Sequence, residues 1–224
     1  MKFHAIIFDF DGVIVDSEMV ANSAMAQVLT DLGFTVTADE AIARYSGLRW
    51  SDCHRLIKED SGLTMDADQL GRVVDEAVAA RAGDVLAVEG LDRFLEAHKH
   101  KRLAIASSSH KQWLDAMLER LALSAHFEDR VFSAAGFPRG KPHPDIYLHV
   151  AERMGVAPSD CLVIEDHPVG VAAGAAAGMT VIALLAASHI QAGHSERVRK
   201  AGAHYVARDY EEAARLVTRL EQGG

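Results

Sequence analysis

At 224 residues the chain can bury a sizeable core, either as one large domain or as one domain carrying a smaller insertion. Its 49% hydrophobic and 25% charged residues lack the bias that marks disordered, collagenous or membrane chains. Thirty-two acids against 23 bases give a formal net charge of -9 with no Lys/Arg-rich run, which argues against nucleic acid as a partner. An acidic protein that handles an anion has to gather positive charge locally, from a metal ion, a lysine or aligned backbone N–H groups. Cys53 and Cys161 are far apart and belong to no CxxC pair, so they read as inert packing thiols in a reducing compartment. The apolar run Ala5 to Phe8 is too short for a signal peptide and stops at Asp9. No apolar segment approaches the roughly 20 residues of a membrane span, so the expectation is a cytoplasmic protein with no membrane partner.

In chain order, Phe3 to Phe8 is apolar apart from His4 and reads as a buried parallel strand. From Ser17 to Ala82 only helical stretches follow: Ser17 to Leu32, Ala38 to Tyr45, Ser51 to Glu59 and Ala67 to Ala82, punctuated by Gly33, Gly47, Gly62 and Gly83. Met19, Met25 and Val28 recur at helical spacing in the first of them, as core positions do. Next come a helix over Leu91 to His100, a strand over Leu103 to Ala106 and a helix over Gln112 to Leu121. A short strand at Val131-Phe132 leads to a helix from Pro144 to Met154, stopped by Gly155. Strands at Cys161 to Ile164, Thr180 to Leu184 and Tyr205-Val206 complete the pattern, with a helix from Val169 to Ala177 ending before Gly178. The alternation predicts an α/β fold with a parallel sheet covered on both faces, built from residues 1-15 and 84-224, and an all-helical insertion over 16-83. Ligands of such sheets sit at the carboxyl ends of the strands, where Asp9, Ser107 and Glu165 fall.

Four groups of residues carry chemistry, three of them at those ends. Asp9 and Asp11 are crowded at the end of the first strand and followed by Gly12, which permits a tight turn. The pair is either a solvated acidic loop or part of a site for a hard cation such as magnesium. Glu165-Asp166 ends another strand of the same sheet, and four converging carboxyl groups favour the metal site. Ser107-Ser108-Ser109 would hold phosphate oxygens through a hydroxyl and free N–H groups, or cap a helix, or do both. Gly140-Lys141-Pro142-His143-Pro144-Asp145 supplies the local cation, Lys141, just before a helix.

The order of these features resembles the haloacid dehalogenase superfamily, and within it the subgroup of beta-phosphoglucomutase and the sugar-phosphate phosphatases. Phe8-Asp9-Phe10-Asp11-Gly12-Val13, Gly140 to Asp145 and Glu165-Asp166 carry the resemblance, which covers nearly the whole chain. It implies a Rossmann-like core with an inserted helical cap, and a magnesium-dependent phosphatase of small phosphorylated metabolites, sugar or polyol phosphates. Asp9 would be the nucleophile and Asp11 the acid/base. Asp9, the carbonyl of Asp11, Asp166 and Glu165 would hold Mg2+, with Glu165 ligating directly or through water. Ser107, the N–H of Ser108 and Lys141 would neutralise the phosphoryl oxygens. The cap loop, with Gly47, Leu48 and Arg49, would select the substrate; Trp50 beside it reads as cap core. The chain would act as a monomer or small homo-oligomer.

Departures from the family pattern narrow the activity. Ala21 stands where the mutase branch carries its acid/base histidine, so a phosphomutase is the alternative and a phosphatase the expectation. Asp11 argues against a carbon dehalogenase, and the cap offers Arg49 where phosphonate-cleaving relatives use a lysine. His167 replaces the usual serine after the acidic pair and either opens a helix or faces the cleft; His110 poses the same choice after the serine turn. The remaining histidines show no zinc-ligand spacing.

Overall fold

The computed structural model describes residues 3–45 and 50–223. In chain order these form β1 (Ala5–Phe8), β2 (Val15–Asp16), helices α1 (Glu18–Asp31), α2 (Ala38–Tyr45), α3 (Trp50–Ser61) and α4 (Ala67–Ala80), and β3 (Leu86–Ala87). Then come α5 (Leu91–His98), β4 (Arg102–Ser107), α6 (Lys111–Arg120), α7 (Ser124–Phe127), β5 (Val131–Ser133) and α8 (Asp145–Met154). The chain ends in β6 (Cys161–Glu165), α9 (Pro168–Ala176), β7 (Thr180–Leu184), α10 (His194–Lys200), β8 (Tyr205–Ala207) and α11 (Tyr210–Glu221). Two compact units result, Met1–Val15 with Ala87–Gly224, and Asp16–Leu86. No helix among the described residues is long and apolar enough to cross a membrane.

The first unit is a six-stranded sheet in the order β5-β4-β1-β6-β7-β8, parallel throughout. Its central strand pairs on both sides, Phe8 standing opposite Ile105 and Ile164, which is why residues 5 to 8 are apolar without alternation. Successive side chains still point to opposite faces. Ala5 and Ile7 join Ala104, Ala106, Val163 and Val181 in a core with Ile146, Tyr147 and Val150 of α8 and Val171 of α9. Phe8, one residue on, meets Phe94 of α5 and Phe127 of α7 edge to face, at 6.0 and 5.9 Å between ring centres. Both faces are therefore covered, as the alternation of strands and helices requires. Gly155 ends α8 at φ 63°, the left-handed conformation that carries no penalty without a Cβ.

The second unit has its own core: Met25, Val28 and Leu29 of α1 with Ala41, Tyr45, Cys53, Ile57, Leu70 and Val74. Trp50 packs against it and donates its indole N–H to the carbonyl of Ala67 at 2.8 Å, the core role expected of it. The start of α4 is fixed by a reciprocal cap between Asp66 and Gln69. Both cysteines are buried, which pushes the Cys53 thiol up to about 11 and Cys161 to about 12, out of the reactive range.

Three helices go beyond the sequence reading: α10, α11 and the four-residue α7. Helix α10 is a seven-residue element with a mostly charged surface and only His194 and Val198 buried, too few apolar positions for a period. Helix α11 carries a legible start, since the Asp209 side chain accepts the N–H of Glu212 at 2.7 Å. Tyr210, at its first turn, is buried and donates its hydroxyl to the carbonyl of Val13 at 2.9 Å. That bond ties the last helix to the turn following Asp9 and Asp11. Tyr210→Phe strands a buried carbonyl, and a loss of about 1–3 kcal/mol in urea unfolding is expected; an unchanged midpoint would show that water satisfies Val13 instead.

Candidate active site

Asp9 leaves β1 with its N–H bonded to the carbonyl of Ile164 at 2.9 Å, which carries the sheet pairing one residue further and brings it beside Glu165. Asp9, Glu165 and Asp166 each place a carboxylate oxygen within 4.8 Å of the others. Lys141 enters the same group: its Nζ lies 2.9 Å from Asp9 Oδ1 and 2.7 Å from Glu165 Oε1, with its side chain 6% exposed. Burial opposes its charge, but Asp9 and Glu165 outweigh that and hold the ammonium well above its usual range. The loop carrying Lys141 is fastened by Arg139, which donates two bonds to Asp145 at 3.0 and 2.7 Å.

Glu165 is fully buried and held on both oxygens. Oε1 accepts from Lys141 and, at 3.2 Å, from the Tyr147 hydroxyl, and Oε2 accepts the N–H of His167 at 2.9 Å. Its carboxylate lies against the first turn of α9, where a Cβ on Gly170 would sit 1.5 Å from Oε1. Glycine at 170 is thus a condition for Glu165 to be where it is. Asp166 differs: Oδ2 lies 3.0 Å from His189 Nε2, whereas Oδ1 is buried and has no hydrogen-bond partner among the described residues.

Burial, reinforced by the charge of Glu165, raises the Asp9 carboxyl to about 6. Burial raises Asp166 to about 7, with His189 working against the shift and Glu165 and Asp9 adding to it. The cluster therefore holds more negative charge than Lys141 balances. Three converging carboxylates, one with a bare buried oxygen, fit a hard divalent cation, for which oxygen ligands are the preferred donors.

The other sequence-derived positions fall nearby. Asp11 accepts from the Ser109 hydroxyl at 2.5 Å and the Trp113 indole N–H at 3.3 Å. Gly12, at φ 80°, turns the chain back to Val15. Ser107 is buried at the end of β4 and accepts the N–H of Ser109 at 3.0 Å, and Ser108 is exposed. His110 precedes α6 and is exposed; His167 caps α9, its Nδ1 accepting the N–H of Val169 at 3.3 Å. Gly47, Leu48 and Arg49 lie outside the described residues.

The sequence model of the haloacid dehalogenase-like hydrolases matches residues 3–178. The chain belongs to that family, and is an enzyme of the hydrolase class. It is 32% identical to the fructose-1-phosphate phosphatase YqaB of Escherichia coli over 184 residues, 81% of this chain and 96% of that one. It is 26% identical to the 6-phosphogluconate phosphatase of Escherichia coli over 189 residues, 84% and 85% of the two chains. A crystal structure of a conserved haloacid dehalogenase-like protein of Agrobacterium tumefaciens superposes with a TM-score of 0.87 at 31% identity, covering 98% of this chain and 99% of that one.

In this haloacid dehalogenase-like hydrolase, the sequence reading placed Ser109 in the serine turn without its bond to Asp11, and it omitted Tyr147, Trp113, His189 and His194 as parts of the site. Only their place in the topology marks them. His189 follows β7, the neighbour of β6, so its loop emerges at the strand ends beside Asp166.

The raised Asp9 carboxyl has a consequence for the metal-free protein. Between about pH 4 and pH 6 the folded state holds the Asp9 proton more tightly than the unfolded chain, so this group's contribution to stability falls as pH rises through that window. Asp9→Asn removes the titration. In EDTA, the melting temperature of the variant minus that of the wild type is expected to grow from pH 4 to pH 8, and a constant difference would show that Asp9 titrates normally.

Proposed function

We propose that the chain is a magnesium-dependent phosphatase of small phosphorylated metabolites, sugar or polyol phosphates, acting through an aspartyl-phosphate on Asp9. The observation that carries this reading is the contact of Asp9 with Lys141 beside two further carboxylates at the strand ends. Relatives named as phosphatases of fructose 1-phosphate and 6-phosphogluconate support the substrate class.

An Asp9 oxygen attacks phosphorus, forming a new O–P bond as the ester O–P bond breaks. Asp11 gives its proton to the departing alkoxide. It then takes one from water, whose oxygen displaces Asp9 and releases phosphate. Ser109 and Trp113, donating to the two Asp11 oxygens, aim that carboxyl. Lys141, the Ser107 hydroxyl and the Ser108 N–H are assigned to the phosphoryl oxygens, where charge neutralisation contributes most. Asp9, Asp166, the Asp11 carbonyl and Glu165, directly or through water, would hold Mg2+, which supplies charge stabilisation to the phosphoryl group.

The unit Asp16–Leu86 is read as the cap, with substrate selection assigned to Gly47, Leu48 and Arg49. Ala21 on α1 has no group to shuttle a proton, which supports hydrolysis over phosphomutase chemistry. Phosphate release from a panel of sugar and polyol phosphates with Mg2+ tests the reading. Activity is expected to need the metal and to vanish in Asp9→Asn. Full turnover by that variant would remove Asp9 as nucleophile, and an isomerised sugar phosphate without free phosphate would identify a mutase.

A further inference from the structure

Two histidines that neither the motifs nor the proposed chemistry uses converge on Asp166. His189, on the loop between β7 and α10, is buried and sets its Nε2 3.0 Å from Asp166 Oδ2. His194, the first residue of α10, is also buried, with its Nε2 2.7 Å from the backbone carbonyl of Asp166. Arg197, one turn on, lies 2.9 Å from His194 Nδ1. A guanidinium only donates, so Nδ1 accepts and Nε2–H is left to donate to the carbonyl. The two imidazoles pack edge to face at 6.3 Å. Asp166 is thus held at its main chain by one ring and at its side chain by the other.

The side-chain contact depends on Gly12. A Cβ there would fall 2.1 Å from Asp166 Oδ2 and 3.0 Å from His189 Cε1. With Oδ2 engaged, Asp166 retains one buried oxygen, Oδ1, without a hydrogen-bond partner among the described residues. A carboxylate free to rotate would exchange its two oxygens; one anchored through Oδ2 presents the other in a fixed direction. Groups that anchor a metal ligand from behind in this way set its orientation and affinity.

We propose that His189 is a positioning residue for the cation site, fixing Asp166 through Oδ2 so that Oδ1 alone is presented to the ion. The inference rests on the reading of Asp9, Glu165 and Asp166 as metal ligands. The test is a titration of the full-length protein with Mn2+, followed by electron paramagnetic resonance, and with Mg2+ by calorimetry. His189→Ala is compared with His189→Gln, which keeps an N–H donor, and circular dichroism in EDTA establishes that each variant is folded. A loss of about 10–100-fold in affinity is expected for His189→Ala, with most of it recovered in His189→Gln. Where the alanine variant does not fold, His189→Met, which fills the volume without a donor, takes its place under the same criteria. Wild-type affinity in the donor-free variant overturns the proposal, and so does a glutamine variant as weak as the donor-free one. Absence of binding to the wild type overturns the metal reading itself, in an arm that does not depend on His189.

Discussion

One ammonium group, that of Lys141, stands between Asp9 and Glu165 with almost no access to water. Taking three charged groups out of solvent is costly, and removing one partner leaves the others uncompensated. The surrounding structure answers that cost group by group. Glu165 receives a phenol and a backbone N–H in addition to the lysine. The Lys141 loop is bound from outside by the Arg139 fork on Asp145. Gly170 leaves the space that Glu165 fills. The positions of α8 and α9 follow from the same constraint, because Tyr147 belongs to one and Gly170 to the other.

Charge balance then gives the cluster room for a further cation. Ionised Asp9, Glu165 and Asp166 carry three negative charges against one positive, leaving the equivalent of a divalent ion. Without that ion, burial raises the Asp9 and Asp166 carboxyls, a response that partly discharges the site by holding protons. Such poised carboxyls are common where chemistry is done and rare where a fold is only being held together.

The sheet was legible in the sequence because its strands are buried on both faces, and an unbroken run such as Ala5 to Phe8 has no competing explanation of that length. The helices of the second unit were legible in outline, with Met25 and Val28 in its core as their spacing suggested, although Met19, read with them, is only half-buried and outside that core. Helix α10 was not, since with two buried residues its place is set by what it packs on. The site divides along the same line. Asp9, Asp11 and Glu165-Asp166 announce themselves by position at strand ends, and Lys141 by its order along the chain. Tyr147, Trp113, His189 and His194 carry no such mark. Trp113, His189 and His194 reach the site through strand order, which pairs β6 with β7 and β1 with β4 irrespective of sequence distance, and Tyr147 through the packing of α8 on the sheet.

The adjacent acids Glu165 and Asp166 show what the fold adds to a motif. In the sequence they are one doublet, interchangeable as donors of oxygen. In the structure the first has both oxygens taken, by a cation, a hydroxyl and a backbone N–H, whereas the second has one oxygen anchored and one bare. A carboxylate whose oxygens already accept strong donors has weaker lone pairs to offer an ion than one with a buried, unshared oxygen. Under the proposed reading there is a division of work, in which Glu165 would orient Lys141 and Asp166 would offer its bare oxygen to a cation. Gly12 and Gly170, the residues whose missing Cβ atoms leave room for Asp166 and Glu165 respectively, are as much a part of that division as the acids themselves.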